Sequence, residues 1–276
     1  MAKYVIEDTT LNNTANAIRE KTGKTDKITP SNFATEIASI ENSSGGDTTN
    51  EDTLITRIGL SNYSNARVTS IGNYAFYYVD LENVYLPNVI TVGEKAFSYT
   101  TRTSGQVGLS FIMDLPKATT LKNKAFSYSA SSLTQGYYKC NLPEALSLGK
   151  NCFEYSIGIK QINPKDETAD KFLYAPKLDS IGDECFYNCM YLTYADLKNI
   201  TNIGSYAFSG TKLKTLILRG ETVCILSGSL GSGITIAKGT GYIYVPDALV
   251  DSYKSATNWS TYADQIKPIS ELEASV

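Results

Sequence analysis

The chain has 276 residues, of which 25 are basic and 28 are acidic, and it contains no histidine. The charge is nearly balanced and has no basic stripe of the kind that binds nucleic acid, so we expect no nucleic-acid partner. Without histidine, Ser-His-Asp catalysis and histidine-containing zinc sites are excluded, and we expect no catalytic residue, no metal and no cofactor. No apolar run reaches the length of a membrane-spanning helix, so no membrane insertion is expected.

Residues 1–40 predict a small helical module. One helix carries Leu11, Ala15 and Ile18 on one face, and a second begins at Thr29-Pro30. So few apolar side chains give too little core for independent stability, which predicts an anchor or oligomerisation module. Residues 41–53 follow as a flexible linker, because the segment from 41 to 51 has no apolar residue.

Residues 54–240 repeat one short phrase, which predicts a solenoid. The phrase reads apolar-Gly-x-x-Ala-Phe, with cysteine replacing alanine twice and Lys122 replacing glycine once. Its phenylalanines are Phe76, Phe97, Phe126, Phe153, Phe186 and Phe208, at steps of 21, 29, 27, 33 and 22 residues. Units of this length cannot bury an apolar face alone, so neighbours must stack and share one core.

A second pattern, apolar-x-apolar-proline, lies between the phrases and predicts short strands on one face of the solenoid. Val84-Tyr85-Leu86-Pro87 is an example. In the phrase we expect glycine to permit a turn and phenylalanine to fill the space between units. Residues 241–276 depart from the pattern and predict a C-terminal cap. The expected fold is α+β, a solenoid preceded by a small N-terminal helical module.

The phrase and its companion strand resemble the leucine-rich repeats of BspA-like bacterial surface proteins. The ending from Tyr244 to Lys254, followed by Trp259, resembles the terminal cap of that group, so the resemblance covers residues 54–270. It implies a leucine-rich-repeat solenoid that acts in binding. The opening from Thr10 to Ile37 resembles a short module at the start of structural proteins from phages and prophages of Gram-positive bacteria.

The five cysteines are predicted to be core thiols. Cys152 and Cys185 occupy the alanine position of the phrase, where a small apolar side chain is needed. A metal site built on Cys185 and Cys189 would need two more soft ligands, and none lies nearby in sequence.

Tyrosine is unusually frequent, at 20 of 276 residues. Aligning the predicted strands on their prolines places several tyrosines and polar residues in two outward columns, the first of which also contains Ile217. One interpretation is a binding face, since tyrosine offers rigid apolar area and a hydroxyl. The other, which stays open, is the general preference of β-rich chains for aromatics. The predicted binding residues are Tyr85, Asp114, Asn141, Phe172, Tyr174, Tyr194, Asp196, Tyr242 and Tyr244.

Two groups of carboxylates could provide a glycosidase-type pair if they were held at a suitable separation. They are scattered beside lysines with no apolar setting, so we interpret them as solvated surface charge. They are Asp166, Glu167, Asp170, Asp179, Asp183 and Glu184.

These features predict a non-enzymatic binding or adhesion protein whose partner is a protein or a cell-surface carbohydrate. The first hypothesis is a phage virion component (tail, fibre or head decoration) that is made in the bacterial cytoplasm and engages a bacterial surface. In it, residues 1–40 bind another copy or another virion protein, giving a homo-oligomer, and the absence of a secretory signal favours this setting. The alternative is a bacterial cell-surface adhesin that binds host protein or polysaccharide. A solenoid enzyme has the least support.

Overall fold

The computed structural model describes residues 62–79, 81, 83–100, 110–129, 137–163 and 172–274. The predicted helical module (residues 1–40), the linker (41–53) and the predicted start of the solenoid at residue 54 lie outside the described residues. Within the described ranges the chain is a parallel β-solenoid, in which two parallel sheets enclose one core.

The first sheet, the long-strand sheet, contains ten parallel strands among the described residues. Its strands follow one another in chain order, as a solenoid requires. They are β1 (Asn62–Ser64), β3 (Asn83–Tyr85), β5 (Ser110–Asp114), β7 (Tyr137–Asn141), β9 (Ile159–Ile162), β10 (Phe172–Ala175), β12 (Tyr194–Leu197), β14 (Thr215–Leu218), β16 (Tyr242–Val245) and β17 (Ile266–Pro268).

The second sheet, the short-strand sheet, contains seven two-residue strands among the described residues, each formed where a phrase begins or at the equivalent place of the next turn. They are β2 (Ser70–Ile71), β4 (Thr91–Val92), β6 (Thr120–Leu121), β8 (Ser147–Leu148), β11 (Ser180–Ile181), β13 (Asn202–Ile203) and β15 (Ile225–Leu226). We number the rungs of the solenoid 1 to 6 by their phrase phenylalanines, from Phe76 to Phe208.

The phrase phenylalanines form one continuous stack through the core, which confirms their predicted role. All six are at most 1% exposed. Neighbouring rings lie 4.9–5.5 Å apart between centroids, and their planes differ by at most 10°. The backbones of neighbouring rungs are also hydrogen-bonded to each other: the amide of Phe97 donates to the carbonyl of Ala125 in the next rung at 2.7 Å. Each rung therefore depends on its neighbours for both packing and hydrogen bonds.

The phrase glycine serves close packing between rungs and not the turn that the sequence suggested. A Cβ placed on Gly204 would lie 2.3 Å from the backbone nitrogen of Asp183 in the preceding rung, nearer than any side chain can approach. The turn itself is made two residues later by residues such as Lys95, whose φ is +52°. Glycine is therefore required because two backbones touch at this position.

The chain ends in a helical segment that packs on the last rung. It contains 3-10 helices at Asp247–Leu249 and Trp259–Gln265 and the α-helices α1 (Val250–Ser255) and α2 (Ile269–Glu273). The indole nitrogen of Trp259 donates to the carbonyl of Cys224 at 2.6 Å, and the hydroxyl of Tyr253 accepts from the amide of Cys224 at 2.9 Å. The two bonds satisfy the backbone amide and carbonyl of Cys224 at the end of the solenoid, where no following rung is present to pair with them.

Candidate functional site

The outer surface of the long-strand sheet, which we call the strand face, carries the side chains that were predicted to bind. Tyr85 in β3 and Tyr242 in β16 are 48% and 41% exposed. Phe172 lies in β10 opposite Tyr194, and its side chain lies outside the described ones. The half-buried members of the predicted set are Asp114, Asn141, Tyr174, Tyr194 and Tyr244.

A pocket of about 420 Å³ opens on the strand face and brings together three of the predicted residues, Asp114, Asn141 and Tyr174. The Nδ2 of Asn141 donates to the Oδ1 of Asp114 at 2.6 Å, which orients the carboxylate. The remaining wall is formed by Ile112, Lys139, Pro143, Asn163 and Pro176. The pocket thus combines apolar rings with one carboxylate and one ammonium.

The proline alignment of the strands is wrong beside this pocket. It placed Tyr174 directly next to Asn141, but β9 lies between their strands and pairs with both β7 and β10. The segment was missed because Pro164 follows Ile162 by only two residues, whereas Pro143 and Pro176 follow the paired residues Cys140 and Leu173 by three. No phrase accompanies β9, and in the short-strand sheet β8 pairs directly with β11.

Asn163 closes the pocket beside the extra strand and was not predicted. Its side chain is 7% exposed and bonds the backbone of Leu142 on both sides: the amide of Leu142 donates to Oδ1, and Nδ2 donates to the carbonyl of Leu142 at 2.9 Å. Both polar atoms are used within the fold, so Asn163 shapes the pocket and has little capacity left to bind a ligand.

Asp196 is covered by its neighbours on the strand face, which corrects the prediction that it is a surface residue. Asp196 is 2% exposed, because Arg219 donates to its carboxylate twice, from Nε at 2.8 Å and from Nη2 at 3.0 Å. The hydrogen bond to Asp196 raises the pKa of Arg219, and Glu273 of α2 lies 3.9 Å from the same guanidinium. Asp196 therefore serves this ion pair and is not available as a surface residue.

Ile217, another member of the predicted outward column, is fully buried in the adjacent strand β14. The helix α2 contacts β16 and β17. Asp196 and Ile217 are thus covered within β12 and β14, while Tyr242 of β16 stays exposed, and the pocket lies on the exposed part of the face between β5 and β10.

The carboxylates that were interpreted as solvated charge take part in bonds between rungs where they are described. The Oδ1 of Asp183 accepts from the amide of Ser205, and the Oδ1 of Asp179 accepts from the hydroxyl of Thr201, both at 2.8 Å. Glu184 accepts from the Nδ2 of Asn151 at 3.0 Å. These roles are structural. Asp166, Glu167 and Asp170 lie outside the described residues.

A second ordered surface was missed by sequence reasoning. Four tyrosines on consecutive rungs stack with ring centroids 4.6–4.7 Å apart and interplanar angles of at most 12°. We call this set the tyrosine ladder: Tyr78, Tyr99, Tyr128 and Tyr155. All four have φ values of 54–61°, a region that non-glycine residues rarely adopt. Each follows its core phenylalanine by two residues, so extending the phrase by two positions would have revealed the ladder.

All five cysteines are buried and none forms a disulfide, as predicted for core thiols. Burial raises the pKa of the Cys140, Cys152 and Cys189 thiols well above the usual value, and it raises that of Cys224 to about 12. A thiol that stays protonated is neither a nucleophile nor a metal ligand. In the described ranges no three or more histidine, cysteine, aspartate or glutamate side chains are arranged to hold a metal ion.

Among the described residues, no helix has the length and apolar character needed to cross a bilayer. No curated protein matches the chain. The family model described as BspA type leucine rich repeat region (6 copies) matches residues 4–103, 60–170 and 116–229, which together span most of the sequence. This agrees with the repeated phrase, the stacked rungs and the two parallel sheets. The chain therefore belongs to the BspA-type leucine-rich-repeat family, whose repeats indicate a role in protein binding or adhesion.

Proposed function

We propose that this protein is a non-enzymatic binding protein whose strand face engages its partner at the pocket between β5 and β10. Solenoids of this family are typically binding scaffolds. The observation that carries the proposal is the pocket itself, where Asp114, Lys139 and Tyr174 converge on the open part of the sheet. Concave sites of this kind, apolar with a few converging polar groups, are the usual form of a ligand site.

The chemistry of the pocket suits a side chain of a protein partner. Ile112 is 41% exposed at the pocket wall, next to the proline rings of Pro143 and Pro176 and the ring of Tyr174. Among the described residues no acidic group pairs with the ammonium of Lys139, so it is available to a partner's carboxylate. An apolar anchor surrounded by charged groups resembles the arrangement of interface hot spots.

As the biological setting we propose a phage virion component, in a tail, fibre or head decoration, that contacts a bacterial surface. The support is the sequence resemblance of residues 10–37 to a module of phage structural proteins. In this proposal residues 1–40 attach the protein to the particle, residues 41–53 act as a tether, residues 54–240 form the binding solenoid and residues 241–276 form its cap.

The second candidate is a bacterial cell-surface adhesin that binds host protein or polysaccharide. It is favoured by the family itself, because BspA-type repeats are typical of cell-surface proteins. Mass spectrometry of purified phage particles and of washed cell-surface fractions separates the two settings. Recovery of the chain in particles supports the first, and recovery in the surface fraction alone replaces it with the second.

Binding at the pocket can be tested with labelled protein on intact Gram-positive cells. Ile112→Ala and Lys139→Glu should each weaken cell binding at least tenfold. The matched control is Ile225→Ala, because Ile225 is 65% exposed on the short-strand sheet, away from the pocket. Equal binding by all three variants would refute the pocket as the site. Loss of binding after protease treatment of the cells indicates a protein partner, whereas loss only after removal of surface polysaccharide indicates a carbohydrate.

A further inference from the structure

The pocket on the strand face is polarised along its strands. Asp114 of β5 pairs in register with Asn141 of β7, and Lys139 lies two residues before Asn141 in the same strand. Because two residues of a strand span about 6.6–6.8 Å, Lys139 is anchored at one end of the pocket and Asp114 at the other. Both line the pocket, and in the described ranges neither takes part in an ion pair.

The end of the pocket that holds Asp114 suits a cation with an apolar stem. The Nδ2 of Asn141 donates to Oδ1 of Asp114 at 2.6 Å, so the carboxylate is fixed and its second oxygen can accept from a ligand. The ring of Tyr174 lines the same end together with Pro143 and Pro176, which follow Asn141 and Tyr174 by two residues. A carboxylate beside an aromatic ring attracts an ammonium or guanidinium, whose methylene stem can pack on the proline rings.

The other end of the pocket suits an acidic group. Lys139 pairs in register with Ile112, and Lys160 of β9 lies at the register shift beside it, so a second positive charge adds to this end. The ammonium of Lys160 lies 5.4 Å from the ring centroid of Tyr191. The residues that continue the row of Lys139 in register are uncharged: Asn83, Gln161, Phe172 and Tyr194. A carboxylate is the group that this end attracts.

The charged residues next to the pocket wall do not reverse this polarity. Glu144 and Lys177, which follow the two wall prolines, bond each other, with Nζ donating to Oε1 at 2.7 Å. Lys117, after β5, donates to Oδ1 of Asn88 at 2.7 Å, on the side of β3 and so across β5 from the pocket. Its charge is exposed to solvent and screened there.

We propose that the pocket binds an extended segment of a protein partner in which a basic and an acidic side chain lie two residues apart, the basic one on Asp114 and the acidic one at Lys139. An extended segment directs residues i and i+2 to the same face, with the repeat that separates Lys139 from Asn141. This inference rests on the function proposed above and adds the chemistry of the partner, which is set by complementary charges at the two ends.

The test is a fluorescence anisotropy titration of the full-length protein with labelled, capped heptapeptides that differ only at their third and fifth positions. Two peptides carry lysine and glutamate there, in either order, and two others carry two lysines or two glutamates. The remaining positions are valine and threonine, which favour the extended form. The better mixed peptide should bind about tenfold or more tightly than either like-charged peptide, because each of those replaces one attraction by a repulsion.

Substitutions in the pocket should change which peptide is preferred. Lys139→Glu should change the ratio of the two affinities by about tenfold or more in favour of the two-lysine peptide over the mixed one. Asp114→Asn keeps an oxygen for the amide of Asn141 but removes the charge, so the advantage of the mixed peptide over the two-glutamate peptide should fall about tenfold. The matched control is Lys122→Glu, an exposed lysine directly after β6 on the short-strand sheet, which should leave the order unchanged.

The results separate this inference from the function on which it rests. Equal affinities for the four peptides, no detectable binding, or a preference of the unmodified protein for a like-charged peptide overturn the inference. A mixed-peptide preference that neither pocket variant alters also overturns it, since the peptide then binds elsewhere. If Ile112→Ala still weakens binding to cells in those cases, the pocket stands as the site for a ligand of other chemistry. Unchanged cell binding by Ile112→Ala overturns the proposed function itself.

Discussion

Removing one ring from the phenylalanine stack should destabilise the whole solenoid and not only the rung that carries it. Phe97 is fully buried, and its ring lies 4.9 Å from that of Phe76 and 5.2 Å from that of Phe126. Phe97→Ala removes a buried ring and leaves a cavity between two neighbours, which costs about 3–5 kcal/mol of unfolding free energy. The loss includes both stacking contacts, each of which contributes roughly 0.5–1.5 kcal/mol beyond burial.

The single tryptophan provides the assay. Trp259 is 1% exposed and lies against the last rung, at the far end of the stack from Phe97. In urea, the fluorescence transition of Trp259 and the far-ultraviolet circular dichroism should shift together and by the same amount in Phe97→Ala, because each rung is stable only through its neighbours. Phe97→Leu keeps most of the buried volume but loses both stacking contacts, so it should cost about 1–3 kcal/mol, less than Phe97→Ala.

Two results would refute this reasoning. A cost below about 1 kcal/mol for Phe97→Ala would show that the stack is not the stabilising core. A normal cost by circular dichroism with an unchanged Trp259 transition would show that the ends of the solenoid unfold independently, so that the two-state treatment does not apply.

Three further predictions use the same melts and simple chemistry. Gly204→Ala should cost about 3 kcal/mol of unfolding free energy, because its Cβ would meet the backbone of the preceding rung. The control Gly220→Ala, whose Cβ has no neighbour nearer than 3.6 Å, should change stability by less than about 1 kcal/mol. Equal effects of the two variants would contradict the close-packing role of Gly204. Arg219→Ala should cost about 2 kcal/mol by leaving the Asp196 carboxylate buried without its partner, after allowance for the partial exposure of Arg219, and Asp196→Asn combined with it should recover part of that loss. Ellman's reagent at pH 8 should react with no thiol in the native protein and with all five in denaturant, and a native thiol that reacts at once would contradict its burial. Because burial raises the pKa of Cys224 to about 12, only the unfolded chain ionises this thiol above about pH 9, and the unfolding free energy should therefore fall as the pH rises further.

The core of this fold could be predicted from sequence because it is periodic. The phenylalanines and the alanine or cysteine next to them recur in every rung, and a position that must be buried in each rung shows itself by repetition. The role of the phrase glycine was harder to predict, since a glycine that allows close backbone approach and one that allows a left-handed turn look the same in sequence. Lys95 and its equivalents adopt the left-handed conformation, and their varied side chains carry no signal of it.

The candidate site was only partly predictable, because its limits depend on parts of the chain that do not repeat. Asp196 has the strand position of a surface residue, and only the distant Arg219 and the following helix α2 decide that it is buried. The tyrosine ladder does carry a signal in the sequence, a tyrosine two residues after each of four core phenylalanines, but the repeated phrase itself ends at the phenylalanine.

The pocket lies beside β9, a strand of the long-strand sheet that, like β16 and β17 at the C-terminal end, has no counterpart in the short-strand sheet among the described residues, and this coincidence has a physical cause. A regular rung adds one strand to each sheet and reproduces the surface of the rung before it. The strand β9 adds to the long-strand sheet alone, so the outer surface must adjust while the short-strand sheet keeps its spacing. The adjustment is visible as a shift in strand register between Tyr138 and Lys139 of β7. Lys139 then lies in the pocket wall together with Asn163, directly after β9, and Tyr174 of β10. The longest step between phrases, 33 residues from Phe153 to Phe186, therefore marks both the irregular rung and the binding site that we propose there.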